Sequence, residues 1–207
     1  MSRYVPIFIS PSSLRITVFG GGNVALRKCR HFEGAEITVI SETVLPEIEK
    51  LAHNIIRARI PNDVRSSMIG ADMVIAATDD PDLNRKIRDS AKSIGIFANS
   101  SHGGGDLLIP SVLRRDMYTV AVSSEGNAPA FPPYLIGELN EFLDDHYDFA
   151  LQLATEMRLI AKERIPELRD RRAFAEGILR DADILKAVSE HDMESARKLA
   201  LKRGGLL

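Results

Sequence analysis

The sequence predicts an α/β protein: a largely parallel sheet flanked by helices, followed by a small helical region. Three observations predict it. Short β-branched runs alternate with helix-length segments over about the first 125 residues, the βαβ pattern of a parallel sheet. A glycine cluster, Gly20-Gly21-Gly22, follows the first of those runs directly, where a strand must turn into a helix. Beyond Pro132 the strand-like runs stop and apolar residues recur at helical spacing.

Strands are expected at 15–19 (RITVF), 36–40 (EITVI), 55–60, 72–78 (DMVIAAT), 95–100 and 118–123, with helices over 23–33 and 81–94. A near-continuous apolar run such as MVIAA suits a strand covered on both faces. Pro132 and Pro133 can open a helix, because the first-turn N–H groups of a helix have no internal partner. Tyr147, Ala150, Leu153, Ala154, Met157, Ile160 and Ala161 then form an amphipathic stripe. That stripe either packs on the protein's own sheet or contributes to a dimer interface. Asp192 reads as the N-cap of a last helix that ends in basic residues before Gly204.

Composition narrows the classes. With 207 residues, 44% apolar, 27% charged and a mean hydropathy of -0.08, the chain is neither disordered, collagen-like nor a disulfide scaffold. A net charge of -2 without a long basic run argues against nucleic acid as a partner. No apolar run reaches the roughly 18 residues a membrane span needs. The start, MSRYVPIFIS, lacks the pattern of a secretory signal, so a cytoplasmic location is expected. The single Cys29 can form neither an internal disulfide nor a thiolate metal cluster, and it reads as a small buried hydrophobe.

The glycines spell G-x-G-x-x-A from Gly20 to Ala25. Gly20 permits the tight turn, Gly22 lets backbone approach a pyrophosphate, and Ala25 lets helix pack closely on strand. The new helix offers N–H groups at Asn23 and Val24, and its positive dipole end, to phosphates. This is a dinucleotide fingerprint in its expected context. Ser41-Glu42-Thr43 ends the second strand, where an acid can accept from ribose hydroxyls; Glu42 without an adjacent Arg favours NAD over NADP, unless it merely begins the next helix. Thr78 and Asp79 end the fourth strand and border the same crevice, while Asp79 or Asp80 before Pro81 also suits a helix cap.

FGGGNVALRK, AATDDPDLN, FANS, LLIPS and VAVSS, in that order, with YVPIFI at the start and RRAFAEGILRDADILKA near the end, resemble the precorrin-2 dehydrogenase and sirohydrochlorin ferrochelatase family, the siroheme-forming module. The likeness covers nearly the whole chain. It implies a Rossmann-like NAD-binding domain (1–117), a dimerisation region (118–150) and a small C-terminal helical domain (151–207), paired as a homodimer. It also implies NAD-dependent oxidation of precorrin-2 to sirohydrochlorin, in some members followed by insertion of Fe²⁺ as a second substrate. By the same likeness Asn99, Ser123 and Ser124 are candidate substrate contacts, and no resident metal is expected.

Three departures stand out. The helix after the glycines is about two residues shorter than is usual in the family. Asn99-Ser100-Ser101-His102 lacks the family's acid, placed beyond a small residue after the Asn. The stretch from Ala128 to Pro133 replaces a Ser-Pro turn and an Arg-bearing helix. His102 and Asp106, bracketing three glycines, are therefore the candidate proton acceptors, His102 because imidazole titrates near neutral pH. A histidine that can carry positive charge suits an incoming Fe²⁺ less well than a carboxylate, so iron insertion is the less expected step. The contrasting reading is a non-catalytic NAD- or tetrapyrrole-binding regulatory module, for which the displaced acid would be the sign.

Overall fold

The computed structural model describes residues 4–101 and 105–207. They form two compact units, one of the residues up to Ile109 with Glu125–Asn127, the other of Pro110–Ser124 and Ala128–Leu207. In the first, strands β1 (Arg15–Phe19), β2 (Glu36–Ile40), β3 (Asn54–Ile56), β4 (Met73–Ala76) and β5 (Phe97–Ser100) form one parallel sheet in the order β3-β2-β1-β4-β5. The chain winds outward from β1 to β3, then crosses back to place β4 on the other side of β1. The carboxyl ends of β1 and β4 therefore flank a topological switch point, where open α/β sheets bind ligands.

Helix α1 (Asn23–His31) follows β1, the short α2 (Pro46–Glu49) follows β2, and α3 (Pro81–Ser93) follows β4. The two-residue period of a strand separates two apolar layers. Ile16, Val18, Met73 and Ile75 pack with Ala25, Leu26 and Cys29 of α1. Phe19, Val74 and Ala76 pack with Ile87 and Ala91 of α3. Both faces are thus covered, as the apolar MVIAA run requires.

The second unit begins with β6 (Ser111–Arg114) and β7 (Thr119–Val122), an antiparallel pair in register from Ser111 against Val122 to Arg114 against Thr119. Here the structure differs from the sequence expectation. The run at 118–123 is not a further strand of the parallel sheet but half of a hairpin, paired with β6. Of β6's four side chains Leu113 alone is buried, so the strand carries little apolar pattern to betray it. Helix α4 (Phe131–Phe142) lies against this hairpin, with Pro132 and Pro133 in its first turn. The Arg115 guanidinium, at the hairpin turn, donates to the carbonyls of Asn140 and Leu143 at the end of α4.

Helices α5 (Asp145–Arg164), α6 (Leu168–Ile178), α7 (Ala182–Ser189) and α8 (Met193–Arg203) complete the unit. Leu153, Met157 and Ala161 of the expected stripe are buried among Phe174, Ile178, Ile184, Val188, Ala196 and Ala200. Leu153, Met157 and Ala161 of the stripe are therefore covered by the helices that follow it. Asp192 caps α8 by accepting from Ser195 N–H at 3.0 Å, and Gly204 closes that helix. Among the described residues no helix is long and apolar enough to cross a membrane.

At the sheet edge opposite the switch point, Asp72 bridges β1 and β4. It accepts from the Arg15 backbone N–H at 2.9 Å and from the guanidinium at 3.1 and 3.0 Å, while its own N–H donates to Arg15 O at 2.9 Å. These bonds hold the Asp72 carboxyl down to about 2. A carboxylate held below its unfolded value of roughly 3.9 stabilises the fold above that value and loses the contribution as pH falls towards the folded one. Thermal melts should therefore show the parent losing stability between about pH 4 and pH 2 more steeply than Asp72→Asn, which starts from a lower midpoint at neutral pH.

Candidate functional site

Gly20 leaves β1 with φ +108, a conformation open to glycine. Space is as restrictive as conformation. A Cβ on Gly20 would lie 2.4 Å from Ala77 O, and one on Gly21 would lie 2.1 Å from Thr43 O. The Gly20 N–H donates to Ile40 O and the Leu45 N–H to Gly21 O, both at 3.0 Å. The turn is thus wedged between the end of β4 and the segment after β2. At Gly22 the situation reverses: nothing lies within 4 Å of where its Cβ would stand. Gly22 is also the N-cap of α1, with no side-chain cap and no acidic residue in the first turn, whereas the last turn carries Lys28, Arg30 and His31. Unspent N–H groups and a positive dipole end therefore face open space, the arrangement that receives a phosphate. Asn23 and Val24 are exposed there, and the buried Ala25 seats the helix on the sheet.

The Ser41 N–H donates to Ile56 O at 3.2 Å, and Glu42 and Thr43 are exposed beside the turn. The close approach of Gly21 to Thr43 brings these three residues beside the glycines. Thr78 and Asp79 follow β4 on the other side of the turn. Asp80, not Asp79, caps α3, accepting from Asp82 N–H at 2.9 Å and Leu83 N–H at 3.1 Å. Thr78 is braced by Asn84: its N–H and hydroxyl donate to Asn84 Oδ1 at 3.0 and 2.8 Å, and its carbonyl accepts from Asn84 Nδ2 at 2.9 Å. The same Nδ2 reaches Ser101 Oγ at 3.3 Å, tying the β4 turn to the end of β5.

On the α1 face of the sheet, Asn99 of β5 is level with Ile75 of β4 and nearly fully buried. Its Oδ1 accepts from the Lys28 ammonium of α1, and its Nδ2 donates to Leu107 O at 2.9 Å. Leu107 N–H in turn donates to Ala98 O at 3.2 Å, and Tyr4 OH donates to Gly105 O at 3.0 Å. Asp106 sits exposed between these anchored residues. His102 lies outside the described residues. Ser123 and Ser124 belong to the second unit, where the Ser124 hydroxyl donates to Ala128 O at 3.0 Å. Cys29 is fully buried and its thiol is pushed up to about 11 by that burial, which leaves it inert. Among the described residues no group of three His, Cys, Asp or Glu side chains could hold a metal ion.

Three residues were not singled out by sequence reasoning. Gly21 occupies a variable place in the fingerprint, and its signal was being the middle of three glycines. Asn84 falls in line with Ile87 and Ala91 on the buried face of α3, so its signal was a polar residue in an apolar stripe. Lys28 stands three residues beyond Ala25 and next to Cys29, at the margin of the buried face of α1.

Residues 7–111 match the model of a family described as "Putative NAD(P)-binding". The chain belongs to this family. Over almost its whole length it also groups with the precorrin-2 dehydrogenases and siroheme synthase N-terminal modules. A precorrin-2 dehydrogenase of Methanosarcina barkeri is 26% identical over 206 residues, 95% of this chain and 92% of that protein. Siroheme synthase 1 of Aeromonas salmonicida is 32% identical over 202 residues, 95% of this chain but 43% of that protein. The chain thus spans less than half the length of the siroheme synthases it matches. The solved structure of SirC, a precorrin-2 dehydrogenase, has the same fold, with a TM-score of 0.74 over 96% of this chain and 99% of that one at 19% identity. In this NAD(P)-binding protein the two glycine positions should separate by experiment. Gly21→Ala should cost at least about 2 kcal/mol of stability, because the carbonyl it meets is backbone and cannot swing away. Gly22→Leu should melt within a few degrees of the parent yet bind NAD at least roughly tenfold more weakly by calorimetry, since its side chain would fill the open space.

Proposed function

We propose that the protein oxidises precorrin-2 to sirohydrochlorin with NAD as the acceptor. The observation that carries this reading is the uncapped start of α1 at Gly22, open to a phosphate, in a chain that covers nearly all of a precorrin-2 dehydrogenase. The residues present fit the cofactor: Gly20, Gly22, Asn23 and Val24 would hold the pyrophosphate, Ser41, Glu42 and Thr43 the adenosine ribose, and Thr78 and Asp79 the far side of the crevice. NAD supplies a nicotinamide C4 that accepts the hydride leaving the macrocycle. The protein must then take up the accompanying proton, so that precorrin-2 and NAD⁺ give sirohydrochlorin, NADH and H⁺.

His102 and Asp106 are the groups assigned to that proton, and a positioned base of this kind contributes roughly 10²–10⁴-fold. Asn99, Ser123 and Ser124 are assigned to the tetrapyrrole. Iron insertion into the product is the less suited step for a site with His102 where relatives have an acid. A homodimer completes the proposal, supported by the exposed aromatic residues Phe131, Tyr134 and Phe142 along α4.

Anaerobic incubation of the purified protein with precorrin-2 and NAD, followed by the sirohydrochlorin absorbance, tests the reaction. Product formation that falls at least about a hundredfold in His102→Ala supports the assignment. Loss in Asp106→Ala alone moves the role to that carboxylate. A parent that binds NAD and forms no product marks a binding module instead. Light scattering should give twice the 22.9 kDa chain mass; a monomer at high micromolar concentration would remove the dimer.

A further inference from the structure

The ammonium of Lys28 is a charge that no carboxylate among the described residues neutralises. Among the described residues its partner is the side-chain carbonyl of Asn99, a neutral acceptor, which uses one of its three donors. Burial and the neighbouring Arg27 both push its proton affinity down, to about 8, and no carboxylate opposes them. A half-buried cation without a counter-charge is costly, and a bound anion would offset that cost.

Position decides which anion. Long helical side chains lean towards the helix N-terminus, so Lys28 reaches towards the carboxyl edge of the sheet as well as across to β5. Its Cα lies six residues below Gly22, roughly 9 Å along α1. Asn99 belongs to β5, two strands from β1 and so about 10 Å from the strand that feeds the glycine turn. The bond of Lys28 to Asn99 therefore holds the ammonium on the β5 side of the glycine turn, and β2 lies in the opposite direction. On the dehydrogenase reading, Asn99 at that end is a substrate contact, and the acetate and propionate arms of the tetrapyrrole are carboxylates.

We propose that Lys28 anchors one carboxylate of the tetrapyrrole at the β5 end of the crevice, with Asn99 holding the ammonium in place. This rests on the reading of the protein as a precorrin-2 dehydrogenase. It adds a positive group to the Asn99 subsite and makes Leu107 part of its frame, because Asn99 Nδ2 is itself tied to Leu107 O. Lys28 is a substrate-binding residue here, with no part in moving the hydride or the proton.

The test compares Lys28→Met and Lys28→Arg with the parent, each checked by thermal melting, for KM and kcat with precorrin-2, for NAD affinity by calorimetry, and for binding of uroporphyrin, a stable tetrapyrrole with eight carboxylates. Lys28→Met should raise KM and weaken uroporphyrin binding at least tenfold, with kcat and NAD affinity within about twofold of the parent, and Lys28→Arg should restore most of the loss. An unchanged KM in an active Lys28→Met protein overturns the anchor and leaves the dehydrogenase reading intact. A parallel loss of NAD affinity overturns it too, by assigning the ammonium to the cofactor. A parent that does not turn over precorrin-2 defeats the dehydrogenase reading, and uroporphyrin binding then decides the anchor separately: weakening in Lys28→Met but not Lys28→Arg sustains it, and equal or absent binding in both and in the parent sinks it. Should Lys28→Met fail to fold, Lys28→Gln, which can still donate to Asn99, takes its place with the same expected outcomes.

Discussion

Two backbone carbonyls, Ala77 O and Thr43 O, stand where side chains at residues 20 and 21 would be. The glycine turn is therefore a point where three segments converge on bare backbone: the end of β1, the end of β4, and the chain leaving β2. Such an approach is available because β1 is central in the sheet and its neighbours end beside it in register, Phe19 against both Ile40 and Ala76. From it follows the start of α1. A turn so tightly enclosed directs the first helical N–H groups away from the sheet, and Gly22 adds no side chain in front of them.

The remaining order at this edge depends on two buried asparagines. Asn84 is fully buried on the α3 side, and Asn99 nearly so on the α1 side. A buried amide left unsatisfied costs free energy, so each asparagine is useful only with its partners in place. Asn84 satisfies Thr78 three ways and reaches Ser101. Asn99 joins Lys28 to Leu107. Asn84 links the end of β4 to the end of β5, and Asn99 links α1 to the chain after β5, so side-chain amides join segments that the sheet's own ladder does not. At the opposite edge the bidentate Arg15 and Asp72 pair does comparable work with charged groups exposed to water.

What could be read from the sequence followed the strength of local patterning. β1 and β2 match their expected limits at both ends, since RITVF and EITVI are β-branched and sharply bounded. The glycine turn was legible because strand, glycines and a small helical residue occur in one stretch. β6 was not, since SVLR buries one side chain and is held by pairing with a strand further along. The cover over Leu153, Met157 and Ala161 was equally out of view: a stripe states that it is buried, and its partner is set by how α6 to α8 fold back. At the site, the adjacency of Lys28 and Asn99 joins residues 71 apart in the chain, which no periodicity reports.

The Gly21 contact also limits how cofactor preference could be altered by design. The residues proposed to meet the adenosine ribose stand on the 41–43 segment, and that segment's backbone passes against Gly21 and bonds back to it through Leu45. Side chains at 41 to 43 can be exchanged freely only while the path of Thr43 and Val44 is kept. Inserting or deleting a residue there would displace the Thr43 carbonyl from the glycine turn, so a change after β2 would be transmitted to the start of α1.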